Sequence, residues 1–137
     1  MSDTDQTRAA RFANGKKVLD AIDGEAGQKV IDSLSDIAPE LGHQIVAWGF
    51  GDIYARPDLQ PAQRQLVTLG TLTALGGCEA QLEVHIGAAL NVGITPQEIT
   101  ETFLHASVYC GFPRALNAMT VAREVFTQHG LMPIATA

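Results

Sequence analysis

From Glu40 to the C-terminus the chain has no lysine, and no run of basic residues occurs anywhere in its 137 positions. With a formal net charge of −6, it lacks the electrostatic footprint that nucleic acid or an anionic membrane selects, so neither is expected as a partner. No apolar stretch approaches eighteen residues, which excludes a membrane-spanning helix by sequence. Met1 to Gln6 is polar, without an apolar segment after a basic start, so no secretory signal is expected. The two cysteines, Cys78 and Cys110, stand far apart without metal-ligand spacing. They suit neither a disulfide framework nor a zinc site, and a cytoplasmic protein with reduced thiols is expected. H-E-x-x-H and paired E-x-x-H motifs are absent, so no metal is expected. There is also no G-x-S-x-G elbow, no P-loop and no G-x-G-x-x-G after a strand, which leaves hydrolase and nucleotide chemistry unsupported.

Charge of either sign is scarce. Charged residues make up 18% and hydrophobic ones 46%, against about 25% charged in an ordinary soluble domain. Some apolar surface is therefore expected to be hidden between subunits, as in a homo-oligomer of closed symmetry, a trimer or hexamer. The length suits a single domain over 1–137 with one hydrophobic core.

Helical periodicity dominates what is present, and strand signals are nearly missing, so the fold class is all-α. Arg8 to Ile22 reads as a first amphipathic helix, broken by Gly24 and Gly27. Val30, Ile31, Leu34 and Ile37 space a second one, and Pro39 restarts the chain. Leu41, Ile45, Trp48 and Ile53 suggest another helix, kinked near Gly49 and Gly51. Pro61 opens a helix that Gly76-Gly77 stops. The next begins at Cys78 or Glu79 and closes at Asn91-Val92-Gly93. Thr95-Pro96-Gln97-Glu98 is a capping box with proline at the first helical position. That helix runs to Cys110, and Pro113 opens a last one capped by Gly130. Residues 131–137 read as a small apolar tail.

Two groups of residues carry candidate chemistry. His85 lies on the apolar side of its helix beside Leu82, Ile86 and Ala89, and is either a packed structural histidine or a functional one. A buried imidazole needs a hydrogen-bond partner in both cases. Glu101, His105 and Tyr109 stack at i, i+4, i+8, where a carboxylate can hold a histidine beside a phenol. The same spacing also describes an ordinary polar stripe. The cations from Glu40 onward are Arg56, Arg64, Arg114 and Arg123. Arginine's planar fork suits a carboxylate substrate or a salt bridge between helices.

The runs Arg64-Gln65-Leu66-Val67 and Glu79-Ala80-Gln81-Leu82-Glu83-Val84-His85 resemble the carboxymuconolactone decarboxylase family, as does HIGAALNVGITPQEITETFLHASVYCGFPRALNA from His85 to Ala118. Trp48-Gly49 and Asp52-Ile53-Tyr54-Ala55-Arg56-Pro57 extend the likeness, which is weakest before Glu40. The resemblance implies an all-α fold of packed helices in a ring-like homo-oligomer, with no cofactor. It implies decarboxylation of 4-carboxymuconolactone, a small anionic lactone, or of a similar carboxylic acid, giving 3-oxoadipate enol-lactone in aromatic-compound degradation. His85, His105 and Tyr109 would then be the catalytic groups. Arg64 and Arg56 would hold carboxylate, with Gln81 and Trp48 as further substrate contacts.

A related branch, the alkylhydroperoxidase-D type, carries C-x-x-C-x-x-x-H preceded by a glutamate. Here the positions read Cys78, Gln81 and His85, with Gln65 in the glutamate's place. An antioxidant peroxidase of that type and a non-catalytic helical binding oligomer are the alternatives. A dithiol cycle needs two sulfurs within disulfide reach, and the vicinal partner is absent. The protein is therefore expected to show no dithiol-dependent peroxidase turnover in a coupled peroxide assay. Peroxide consumption that requires a thiol reductant and disappears in Cys78→Ser would reverse that ranking.

Overall fold

Thr7 opens the first helix by accepting a hydrogen bond from the Ala10 N–H at 3.1 Å, a side-chain cap for one of the unpaired donors of the first turn. From there the computed structural model describes residues 7–135. Among them are seven α-helices, one π-helical segment and no strand, in agreement with the all-α expectation. No helix among the described residues is long and apolar enough to cross a membrane. The chain divides into two compact units, one up to Gln60 and one from Pro61 onward.

The first unit holds α1 (Arg8–Asp23), α2 (Glu25–Ser33), α3 (Pro39–Gln44) and the π-helical segment Ile45–Tyr54. The kink expected at Gly49 and Gly51 is instead a widened helix with i→i+5 bonding. Its partner is α1, and the two backbones nearly touch. A Cβ on Gly15 would lie 1.9 Å from the Val46 carbonyl oxygen, and one on Gly51 would lie 3.3 Å from Gly15 Cα. Only glycine permits that approach. Leu19, Ile22, Val46, Ala47 and Phe50 form the buried apolar set of this unit. Exposed ion pairs Arg8–Glu40 and Arg11–Asp52 tie α1 to the segments opposite. The hydrogen bond from Arg8 holds the Glu40 carboxyl down to about 2. The periodicity over Val30 to Ile37 outran its helix, because α2 ends at Ser33. Ile37 lies exposed in the following turn, and Pro39 forces Ala38 out of helical geometry.

The second unit holds α4 (Pro61–Leu75), α5 (Glu79–Asn91), α6 (Pro96–Cys110) and α7 (Phe112–Gln128). α4 packs on α5 and α6, and α7 packs on the same two helices. Leu69, Ile86, Ile99, Phe103, Val125 and Phe126 fill the space between them. The punctuation follows the sequence closely. Gly76 and Gly77 take φ of +69° and +70° between α4 and α5. The box at α6 closes in both directions, with Glu98 N–H to Thr95 Oγ1 at 3.1 Å and Thr95 N–H to Glu98 Oε1 at 3.0 Å. After α5, Ile94 N–H reaches Ala89 O at 3.0 Å and Gly93 N–H reaches Leu90 O at 3.1 Å, a Schellman closure. Leu131 and Gly130 repeat it after α7. Helix α7 begins at Phe112, one residue before the proline that was expected to open it.

Asp23 stands out in the first unit. It is 5% exposed, its Oδ1 has no hydrogen-bond partner among the described residues, and burial pushes its carboxyl up to about 6. A carboxyl raised from 3.8 favours the fold while protonated, and that contribution is lost as pH rises through about 6. Asp23→Asn, neutral at every pH, should therefore stabilise the protein at pH 7.5 by roughly 2–3 kcal/mol and leave it little changed near pH 4. Urea denaturation at both pH values checks this. Equal midpoints for variant and parent at pH 7.5 would show that the carboxylate is not penalised.

Candidate active site

Helix α5 turns Leu82, Ile86 and Ala89 into the core, and His85 sits half-buried at the edge of that face. Its Nδ1 lies 3.1 Å from Oε1 of Gln65 on α4. With the Gln65 carbonyl oxygen facing the ring, Nδ1 is the donor and Nε2 is the ring nitrogen that does not engage Gln65. Burial lowers the pKa of His85 from the ordinary 6.5, which makes the neutral ring the resting form at pH 7. Gln65 itself is 0% exposed, and its Nε2 has no hydrogen-bond partner among the described residues. An orphaned buried donor of this kind costs about 1–3 kcal/mol. Arg64, the preceding residue on α4, is half-buried.

The α6 stripe forms a second constellation. Glu101, Thr102, His105, Ala106 and Tyr109 make one wall of an open groove of about 630 Å³, and Leu66, Val67, Gly70, Thr71 and Ala74 of α4 make the other. The His105 and Tyr109 rings lie 5.6 Å apart and tilted by 58°. The expected carboxylate–histidine contact is not formed: among the described residues Glu101 makes no ion pair or hydrogen bond with His105. All three side chains point to solvent-exposed positions, where separate hydration of both groups competes with an exposed pair. The hydroxyls of Thr71 and Thr102 donate to Val67 O and Glu98 O along their own helices. Polar handles in the groove are thus Glu101, His105 and Tyr109. His85 and Gln65 are not among its lining residues.

The remaining candidates are dispersed. Gln81 is exposed on α5, one turn before His85. Cys78, half-buried at the start of α5, directs Sγ to Gly76 O at 3.5 Å. Arg114 on α7 lies over the same turn, since a Cβ at Gly76 would stand 2.8 Å from its Nε. Trp48 and Arg56 belong to the first unit. Trp48 is exposed on the π-helical segment, and Arg56 sits 3.7 Å from Asp58 in an exposed ion pair. Among the described residues no three His, Cys, Asp or Glu side chains gather as a metal-binding group. The sequence places Gln65 in the glutamate position of the related branch but does not pair it with His85. The available signal was a lone amide four residues before Leu69, on the face of α4 that enters the core.

Comparison with known proteins adds the following. The model of the carboxymuconolactone decarboxylase family matches residues 39–124. The 4-carboxymuconolactone decarboxylase of Acinetobacter baylyi is 35% identical over 124 residues, covering 90% of this chain and 92% of that protein. The nitrosuccinic acid decarboxylase of Metarhizium robertsii is 34% identical over 123 residues, covering 88% of this chain and 84% of its own. An uncharacterized 15.0 kDa protein of Paracoccus denitrificans is 29% identical over 97 residues, covering 70% and 72%.

Proposed function

The chain belongs to the carboxymuconolactone decarboxylase family and is a carboxy-lyase, and from that footing we propose that it decarboxylates 4-carboxymuconolactone or a similar carboxylated lactone. The product would be 3-oxoadipate enol-lactone, in the cytoplasmic breakdown of aromatic compounds, with no cofactor. The 35% identity to a protein of that activity over nearly the full length of both chains supports the substrate.

The two relatives' names define a common chemistry. In a carboxylated unsaturated lactone, the electron pair left by departing CO2 enters the conjugated carbonyl as a dienolate. In nitrosuccinic acid, the nitro group beside the lost carboxylate takes that pair. Each substrate also keeps a second carboxylate. Such a reaction asks a protein for a cation to hold the retained anion, a donor for the acceptor oxygen, and an acid for the carbon. Arg64 supplies the first. His85 relays the acid: its resting neutral ring takes a proton from solvent on Nε2, and the imidazolium so formed gives that proton to carbon as the C–H bond forms, returning the ring to neutral. The observation that carries this reading is the contact of His85 Nδ1 with Gln65 Oε1, which engages one ring nitrogen and leaves Nε2 out of that bond. Burial favours the return to neutral after the transfer.

His105 and Tyr109 are assisting groups in this reading, placed on the α4–α6 groove. Assembly as a trimer or hexamer is proposed from the low charge of the sequence, and Val108 at 74% and Phe112 at 75% exposed are apolar side chains that an interface would cover.

Steady-state kinetics, followed by ultraviolet absorbance of the lactone with assembly verified by light scattering, test the proposal. His85→Ala should lower kcat by roughly 10²-fold or more, the usual worth of a general acid. Arg64→Ala should act chiefly on KM, because a clamp on a spectator carboxylate binds ground and transition states alike. Near-parent turnover in His85→Ala would make His85 a packing residue and move the acid to His105. Failure of the parent protein to consume the lactone would remove the substrate.

A further inference from the structure

We infer that Gln65 is a positioning residue: its side-chain carbonyl holds the Nδ1–H of His85 and so assigns the substrate's proton to Nε2. The reasoning starts from a local inconsistency. An amide on the core face of α4, fully buried, with its own N–H unpartnered, is a poor choice for packing, and a methionine or leucine would fill similar space without an orphaned donor. Residues that break a local rule in this way mark functional positions, where a cost in stability is tolerated for placement of another group. The hydrogen bond of the Gln65 side chain is the one to His85, at 3.1 Å. That bond is what its burial secures.

The chemistry of an amide explains the residue type. The Gln65 carbonyl accepts from Nδ1–H whether the ring is neutral or protonated, so His85 keeps one orientation through the whole proton cycle. A carboxylate in the same place would also accept, but its charge would favour the imidazolium and hold the proton on the ring. A side chain without an acceptor would leave Nδ1 with nothing to hold it. The tautomer would then be free to carry its hydrogen on Nε2, and the ring free to turn. The inference rests on the decarboxylase reading for its kinetic consequence, though not for its structural one.

The test is nitrogen-15 NMR of the His85 ring in the intact labelled protein, with the signals assigned by their loss in His85→Ala. At pH 7.5 the parent should show hydrogen on Nδ1 and a bare Nε2. Gln65→Met should shift the ring toward the Nε2–H form and lower kcat about tenfold or more, with KM little changed. Gln65→Glu should restore the Nδ1–H bond and raise the His85 titration midpoint by about one unit or more. A ring that keeps hydrogen on Nδ1 in Gln65→Met, or a parent ring with hydrogen on Nε2, would overturn the inference. If Gln65→Met does not fold, an unchanged midpoint in Gln65→Glu overturns it just as directly. A parent with the expected tautomer but no decarboxylation of the lactone would leave the positioning role standing and defeat the function instead.

Discussion

One hydrogen bond, from a half-buried imidazole to a fully buried amide, connects the packing of the second unit to its chemistry. The core fixes the helix faces that carry the two partners, and the bond between them orients the ring. Leu69 anchors the face of α4 that carries Gln65, while Leu82 and Ile86 anchor the face of α5 that carries His85. The glycine pair at 76–77 lets those helices follow one another with a short turn. Close packing leaves the fully buried Gln65 amide little freedom to re-aim. Because the ring is withdrawn from water, its charged form is disfavoured, and a proton placed on it is readily passed on.

The first unit is built on a different constraint. Contact between α1 and the π-helical segment depends on backbones meeting at Gly15, where any side chain would collide with the Val46 carbonyl, and at Gly51, where a Cβ would be a tight fit. Asp23 adds a penalty there, a carboxyl without a partner for Oδ1. The exposed pairs Arg8–Glu40 and Arg11–Asp52 contribute little by comparison, since solvent screens them.

Most of the helical order was legible in the sequence because its signals are local. Proline at first-turn positions, the Thr95–Glu98 box and glycine after α5 and α7 act within a few residues, and each appears as read except Pro113, which is the second residue of its helix and not the first. The π-helical widening was not legible. It is set by the approach of α1 to Val46, a contact distant in sequence, and the glycines alone suggested only a kink. The candidate site divides along the same line. His85 was visible from its place among Leu82, Ile86 and Ala89, and the need for a hydrogen-bond partner was foreseeable. The identity of that partner required the packing of α4 on α5. The Glu101–His105–Tyr109 spacing correctly put three side chains on one face, and the groove they share with α4 follows from it. Spacing cannot say whether two exposed groups will bond, and Glu101 and His105 do not.

In the proposed reaction His85, held through Nδ1, delivers one proton from Nε2 to one face of the carbon. Running the reaction in deuterium oxide tests this most directly, with the configuration of the newly deuterated carbon read by NMR on the fresh product. A single configuration is expected from the parent protein and a mixture of both from His85→Ala. A mixture from the parent, or an unchanged single configuration from His85→Ala, would contradict it.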